Sequence, residues 1–138
     1  MKAVVQRVRA ASVSVEGRQV SEIGEGLFVL LGVAKGDGEA AAVKVADKIS
    51  KLRVFDDGSG KIGAPLGDRE VLCVSQFTLL ADVTRGNRPG FEAAARPEDA
   101  EPLYDLVCER LAARKGVFGA DMAIGLDCYG PVTILLEA

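Results

Sequence analysis

The feature that most constrains the fold is an uninterrupted apolar run at residues 27–33, LFVLLGV. A strand with one face in water alternates polar and apolar residues, and this run does not alternate. It is also much shorter than the roughly 18 apolar residues that a membrane helix needs. The run therefore predicts a strand covered on both faces, within a domain that has layers on each side of a sheet.

Further strands are predicted where β-branched and polar residues alternate, with Glu16-Gly17-Arg18 as a hairpin turn near the start of the chain. The predicted strands are 3–8 with 12–15, 19–23, 27–33, 70–76, 123–128 and 132–137. Gly130-Pro131 separates the last two, because proline cannot donate a hydrogen bond to a neighbouring strand.

Two segments have apolar residues at helical spacing. The first is predicted at 38–52 with Asp37 as N-cap, and its inner face consists of Ala42, Val45, Ala46, Ile49 and Leu52. The second is predicted at 97–115, with the buried stripe Leu103, Leu106, Val107 and Leu111. We expect Gly116 to end this helix and Pro102 to weaken or delay its start. The sequence thus predicts a single α/β domain over residues 1–138, with two stacked β layers covered by a layer of helices.

The absence of histidine is the feature of the composition that most restricts the chemistry. It excludes Ser-His-Asp and Cys-His mechanisms. The three cysteines have no paired spacing, so we expect a reducing compartment, with neither a disulfide framework nor a structural zinc site. Without a signal-like or membrane-spanning run, we expect a soluble cytoplasmic protein that needs no metal and no cofactor. The net charge of −3 implies that any nucleic-acid partner would be held locally.

Three segments contain candidate site residues. Ser75-Gln76-Phe77-Thr78 ends a buried strand, where free backbone N–H groups can point at a ligand, although a strand that simply runs into a turn gives the same pattern. Gly130-Pro131 leaves the backbone open to close approach, with an ordinary turn as the alternative. Residues 84–89, TRGNRP, carry two arginines suited to phosphate, or form only a solvated loop. Cys128 has no histidine to activate it and is not expected to be a nucleophile, and Cys73 is interpreted as a core residue.

Taken together, these segments resemble the D-aminoacyl-tRNA deacylase family over nearly the whole chain. The matching motifs include Val5-Gln6-Arg7-Val8, Lys51-Leu52-Arg53-Val54-Phe55, Ser75-Gln76-Phe77-Thr78-Leu79, Arg88-Pro89, Phe118-Gly119-Ala120-Asp121-Met122 and Gly130-Pro131-Val132-Thr133. The specific pair is Ser-Gln-Phe-Thr-Leu followed, far along the chain, by Gly-Pro-Val-Thr.

The resemblance implies a homodimer that binds the acceptor end of aminoacyl-tRNA in pockets at its interface. Ser75, Gln76, Phe77 and Thr78 would line one subunit's pocket, with the backbone N–H groups of Phe77 and Thr78 stabilising the ester oxyanion. A cis Gly130-Pro131 dipeptide from the other subunit, held by Arg7, would exclude L-amino acids and admit D-amino acids and glycine. Phe118, Gly119 and Met122 would surround the terminal adenosine, and the ribose 2′-OH would assist hydrolysis.

The chain departs from the family pattern at Cys128-Tyr129, where an Asn and an acidic or similar residue commonly precede Gly-Pro, and at Ile62-Gly63. The segment after Ile62-Gly63 and the connection to Phe118 are short. Three alternatives remain: a non-catalytic module that binds the tRNA end, an esterase with Ser75 or Thr78 as nucleophile, and the animal-type relative with relaxed chirality.

Overall fold

The computed structural model of the protein describes residues 1–138. Its strands are β1 (Lys2–Val15), β2 (Arg18–Ile23), β3 (Gly26–Gly32), β4 (Phe55–Asp56), β5 (Ile62–Ala64), β6 (Glu70–Ser75), β7 (Arg114–Lys115) and β8 (Ala123–Glu137). Its helices are α1 (Glu39–Lys51) and α2 (Pro97–Arg110), with a short 3₁₀ helix at Phe77–Leu80. The short elements β4, β5, β7 and the 3₁₀ helix were not predicted, because segments of this length carry too little periodic signal.

β1 organises a six-stranded sheet because it pairs along both of its edges. Residues 2–8 pair antiparallel with β3 and residues 11–15 with β2, whereas β8 pairs along the opposite edge. β3 pairs parallel with β6, and β6 with β7. Since β2 and β3 occupy successive stretches of one edge of β1, the sheet curls over itself and is nearly barrel-like.

The apolar run in β3 is buried on both faces, as predicted. Leu27, Val29 and Leu31 pack into a first core with residues from both helices. Phe28 points the other way, into a second core inside the curl of the sheet, with Val8, Ala11, Val13, Ile23, Leu72 and Val74. The two predicted β layers therefore face each other across the second core, and the helices cover the first.

Helix α1 buries four residues of its predicted inner face, Ala42, Val45, Ala46 and Ile49, whereas the fifth, Leu52, is the C-cap and is only partly buried. The predicted N-cap is wrong. Gly38 is the N-cap and no side chain caps the helix. The Asp37 carboxylate instead accepts the Ala34 backbone N–H at 2.7 Å and lies 2.8 Å from the Met1 ammonium group. Its charge is satisfied by a long-range ion pair, which the local sequence pattern does not encode.

Helix α2 starts at Pro97 despite Pro102, which lies exposed within the helix, so the predicted delay is wrong. The helix also ends earlier than predicted. Ala112 has a positive φ of 48°, and Arg114–Lys115 leave the helix to pair with β6 as β7. The side chains buried most deeply on α2 are Ala100, Tyr104, Val107 and Cys108, with Leu111 buried at the C-cap. Leu103 and Leu106, from the predicted stripe, are only partly buried.

The predicted break at Gly130-Pro131 is a bulge within one strand. In β1, Gln6 pairs with Thr133 but Val8 pairs with Cys128, so residues 129–132 of β8 have no partner in the register. The Gly130–Pro131 peptide bond is cis. None of the helices has the length and apolar character needed to cross a membrane.

Candidate active site

A cavity of about 520 Å³ opens where β6 ends. Ser75, Gln76 and Phe77 form one wall, and Phe118, Gly119 and Met122 form another. The structure thus brings together six of the predicted site residues, from segments far apart in the sequence. The remaining lining residues are Val33, Val74, Phe91, Ala94, Ala95, Pro97, Ala100, Ala120, Asp121 and Ile124.

The turn after β6 leaves two backbone donors without backbone acceptors. Gln76 N–H donates to the Leu31 carbonyl at 2.8 Å, and the hydrogen bonds of the 3₁₀ turn begin with Leu79 N–H, which donates to the Gln76 carbonyl at 3.3 Å. The intervening N–H groups, of Phe77 and Thr78, donate to no backbone carbonyl. These are the two donors that the family resemblance implies for the oxyanion, and Phe77 itself lies in the cavity wall.

Thr78 is exposed and does not line the cavity. Its hydroxyl oxygen accepts a hydrogen bond from Gln76 Nε2 at 2.5 Å. An amide N–H is a donor and cannot remove a proton from the hydroxyl. The side chain of Thr78 therefore has no base beside it, which argues against a threonine nucleophile.

Phe91 also lines the cavity, although no motif in the sequence predicted it as a site residue. Its ring packs edge-on against Phe77, with centroids 5.0 Å apart and an interplanar angle of 69°. Both rings remain partly exposed, at 37% for Phe91 and 54% for Phe77. The sequence feature that could have indicated Phe91 is the presence of one large apolar residue directly after the polar segment 82–90.

A buried tyrosine, Tyr104, supports the cavity wall that contains Phe118. The Tyr104 ring packs against Phe118 with centroids 5.8 Å apart, and the Tyr104 hydroxyl donates to the Cys73 carbonyl at 2.7 Å. Burial raises the pKa of the Tyr104 hydroxyl, so it stays protonated and keeps donating. Tyr104 therefore ties Phe118 to the strand that carries Ser75.

The cavity offers almost no side-chain acid–base chemistry. Asp121 is the one ionisable residue in its lining and was not singled out as a catalytic candidate. A hydrogen bond with the Cys108 thiol, together with burial, raises the pKa of Cys73 well above its usual range. Cys128 is exposed and lies outside the lining. No group of histidine, cysteine, aspartate and glutamate side chains could hold a metal ion.

Arg7, Gly130 and Pro131 form a second group that does not line this chain's own cavity. The Arg7 side chain is 8% exposed, and its Nη1 donates to the Val54 carbonyl at 2.9 Å. Its Nη2 and Nε donate to the Tyr129 carbonyl at 3.2 and 3.4 Å. Arg7 thus holds the backbone immediately before Gly130, which has a φ of +109°.

The predicted phosphate loop is a separate surface feature. Arg85 and Arg88 line a neighbouring cavity of about 590 Å³ together with the acidic residues Asp82 and Glu92. Hydrogen bonds from the side chain and backbone of Thr84 lower the pKa of Asp82 and keep it anionic. Because the acidic residues offset the arginines, the charge of this loop gives no independent sign of phosphate binding.

Comparison with known proteins places the chain in a family. A family model described as D-Tyr-tRNA(Tyr) deacylase matches residues 4–137. D-aminoacyl-tRNA deacylase from Dehalococcoides mccartyi is 52% identical, covering 100% of this chain and 95% of its own length. The same enzyme from Cereibacter sphaeroides is 50% identical and covers 100% of both chains. Both alignments run over 145 positions, more than the 138 residues here, so this chain lacks residues that the relatives have.

Two solved structures resemble the fold. One, titled c-Myc DNA Unwinding Element Binding Protein, is 44% identical with a TM-score of 0.93, and covers 100% of this chain and 99% of its own. The other, titled as a probable eukaryotic D-amino acid tRNA deacylase, has a TM-score of 0.82 and covers 98% and 97%. At 14% identity, the second likeness concerns the fold alone.

The matches define the class of the protein, a hydrolase that acts on ester bonds. The chain belongs to the D-Tyr-tRNA(Tyr) deacylase family.

Proposed function

We propose that this chain hydrolyses the ester bond of D-aminoacyl-tRNA in the cytoplasm, and that it also accepts glycyl-tRNA mischarged on tRNA-Ala. The active form is a homodimer in which each cavity is completed by Gly130-Pro131 of the other subunit. This proposal rests on one observation: within a single chain, the cavity residues and the Gly130-Pro131 dipeptide are separate from each other. The cavity contains Ser75, Gln76 and Phe77, whereas the bulge at Gly130-Pro131 lies outside it.

Selection by exclusion accounts for chirality without recognition of the side chain. Gly130 and Pro131 are both exposed, so their carbonyls are free to accept a hydrogen bond from the α-amino group of a substrate in the partner's cavity. The same backbone occupies the space of an L side chain, so L-aminoacyl esters are rejected whatever their side chain. Glycine has no side chain to exclude and passes.

Stabilisation of the developing oxyanion is the main catalytic contribution of the protein. The N–H groups of Phe77 and Thr78 have no backbone acceptors, and a preorganised donor of this kind is worth roughly 3–4 kcal/mol of transition-state stabilisation. The apolar lining of the cavity lowers the local dielectric, which strengthens such hydrogen bonds.

The proton transfer that ester hydrolysis needs is assigned to a group of the substrate, the ribose 2′-OH, and not to a side chain of the protein. The lining contains no histidine, lysine or thiol, and the Thr78 hydroxyl faces an amide donor rather than a base. The ribose 2′-OH adjoins the ester in every aminoacyl-tRNA and therefore has the advantage of proximity. Asp121 is the one side chain that could replace it as a base, and it can be removed by mutation.

A second copy of the chain fits the exposed apolar residues of β8. Leu135 is 76% exposed, and Leu126 and Ile124 are 42% and 38% exposed. β8 pairs only with β1, so its other edge is open along the strand that carries Gly130-Pro131. A two-fold interface on this surface would cover the apolar side chains and bring the dipeptide to a partner.

The test is hydrolysis of tRNA charged with D-tyrosine or L-tyrosine by the purified protein. We expect the D-ester to be cleaved and the L-ester to be cleaved at least about a hundredfold more slowly, a difference of about 2.7 kcal/mol in transition-state energy. Binding of D-aminoacyl-tRNA without cleavage would favour the non-catalytic module, and equal cleavage of both esters would favour the relaxed-chirality relative.

A further inference from the structure

A single aromatic ring lies beside the dipeptide that the proposed function uses to select chirality. The guanidinium carbons of Arg7 and Arg9 lie 4.1 and 4.5 Å from the centre of the Tyr129 ring. We propose that Tyr129 is a positioning residue: its ring, held by Arg7 and Arg9, fixes the Gly130-Pro131 turn and so sets the discrimination between D- and L-esters. This inference rests on the proposed function.

The bulge needs an anchor other than strand pairing. Residues 129–132 have no register partners in β1, so the regular ladder does not determine where Gly130 and Pro131 lie. Beyond the dipeptide, Gln6 Nε2 donates to the Val132 carbonyl at 3.3 Å. Before it, the anchor is Tyr129, through its carbonyl and its ring.

Arg7 is almost fully buried and has no carboxylate partner. A buried cation is costly unless other groups compensate its charge. Here those groups are the carbonyls of Val54 and Tyr129 and the face of the Tyr129 ring. An aromatic face attracts a guanidinium group, and the attraction strengthens as water is excluded. The ring therefore helps to hold Arg7 in the position from which it bonds the Tyr129 carbonyl.

Arg9 adds a second contact from the same strand. Its side chain is exposed, and it makes no salt bridge and no side-chain hydrogen bond, so its guanidinium group interacts with the Tyr129 ring without a competing polar partner in the chain. The residue therefore covers the ring from the solvent side, where a cation–π contact with an exposed arginine is worth less than one with a buried arginine. If the ring were removed, two cations without carboxylate partners would remain beside each other on β1, with only the two carbonyls to hold Arg7, and Arg7 would be expected to move.

The experiment compares Tyr129→Phe, Tyr129→Ala and Arg9→Ala, with Arg18→Ala as the matched control. Arg18 is an exposed arginine of the adjoining strand β2 and contacts no aromatic ring. Values of kcat/KM are measured for D- and L-tyrosyl-tRNA, together with the melting temperature and the oligomeric state. Tyr129→Phe and Arg18→Ala should keep the wild-type D/L ratio.

Tyr129→Ala should lower the D/L ratio at least about tenfold, or about 1.4 kcal/mol of difference between the two transition states. The ratio should fall mainly because cleavage of the L-ester rises, while the dimer persists. A folded Tyr129→Ala protein with the wild-type ratio would overturn the proposal. If Tyr129→Ala does not fold, Arg9→Ala tests the proposal instead, because Arg9 is exposed and its loss should leave the fold intact. The D/L ratio of Arg9→Ala should fall by a smaller factor than that of Tyr129→Ala. An unchanged ratio would overturn the proposal.

A second measurement does not depend on the reaction. In NMR spectra, the side-chain Nε–H resonances of Arg7 and Arg9 should be displaced by the ring current of Tyr129 and should keep that displacement in Tyr129→Phe. They should lose it in Tyr129→Leu. If wild-type protein cleaves no D-aminoacyl-tRNA, the proposed function fails. Absence of the ring-current displacement would instead contradict the positioning of Tyr129.

Discussion

Gly130 and Arg7 are so close that a Cβ at position 130 would lie 2.5 Å from Arg7 Nη2. Arg7 is buried and bonded to the Tyr129 and Val54 carbonyls, so it cannot move aside without losing those bonds. Gly130 also has a φ of +109°, which L side chains rarely adopt. We therefore expect Gly130→Ala to displace the dipeptide and to lower kcat/KM for D-tyrosyl-tRNA at least about tenfold, or about 1.4 kcal/mol.

Gly17→Ala is the control for the effect of backbone strain alone. Gly17 has a φ of +76°, and a Cβ there would meet nothing within 4 Å. The two substitutions share the cost of a left-handed alanine, of the order of 1 kcal/mol in stability, but only Gly130→Ala meets Arg7. Equal activity of the two variants would contradict the role given to Gly130.

Phe77→Pro tests the backbone donor without removing the turn. Proline has no N–H, and it suits the first position of a helical turn, which is where Phe77 lies. Gln76 has a φ of −142° and a ψ of 86°, so it lies outside the helical region that a following proline disfavours. Loss of one oxyanion donor should lower kcat by roughly 10²–10³. Phe77→Ala keeps the N–H and loses only a half-exposed ring, so it should retain much more activity than Phe77→Pro. Similar rates for the two variants would contradict the role of the Phe77 N–H as an oxyanion donor.

The hydroxyl and carboxylate side chains in and beside the cavity should be dispensable for hydrolysis, whereas the ribose 2′-OH of the substrate should be required. Ser75→Ala, Thr78→Ala and Asp121→Asn should each keep kcat/KM within about tenfold, since none is assigned the proton transfer. D-tyrosyl-tRNA that ends in 2′-deoxyadenosine should bind but react at least about a hundredfold more slowly. If Asp121→Asn is inactive on the normal substrate while the wild-type enzyme cleaves the deoxy substrate as fast as the normal one, the base is Asp121 and not the 2′-OH.

Thiol labelling should distinguish Cys128 from the other two cysteines. Cys73 and Cys108 are buried, and the hydrogen bond with Cys108, together with burial, raises the pKa of Cys73. We expect iodoacetamide to modify Cys128 alone in the folded protein, as mass spectrometry of peptides would establish, because reactivity needs exposure. Cys128→Ser should retain activity within about tenfold. An acyl group trapped on Cys128 would overturn the mechanism.

The sequence predicted the parts of the fold that periodic burial determines. The run in β3 and the inner face of α1 are buried as expected, because core packing selects apolar residues at those spacings. Asp37 pairs with Met1 rather than capping α1, and Arg114–Lys115 join the sheet rather than continuing α2. Both outcomes depend on contacts between residues distant in the chain, which local propensity does not contain.

The candidate site was predictable as motifs but not as an arrangement. Ser75, Gln76 and Phe77 meet Phe118, Gly119 and Met122 only through the folding of β6 and the segment before β8. Phe91, which also lines the cavity, belongs to none of the matched motifs, and Asp121 lies within one of them but was given no role. Tyr129 looked like a departure from the family pattern, and only the geometry reveals its contact with Arg7 and Arg9.

The claim that each site is built from two subunits is tested most directly by complementation. Phe77→Pro damages the cavity and Gly130→Ala damages the dipeptide, so a mixed dimer has one intact site, formed by the undamaged parts of both chains. Random assortment after co-refolding equal amounts should restore about a quarter of the wild-type activity on D-tyrosyl-tRNA, well above either variant alone. If native mass spectrometry finds mixed dimers and the activity stays at the average of the two variants, the site lies within one chain and the account is contradicted.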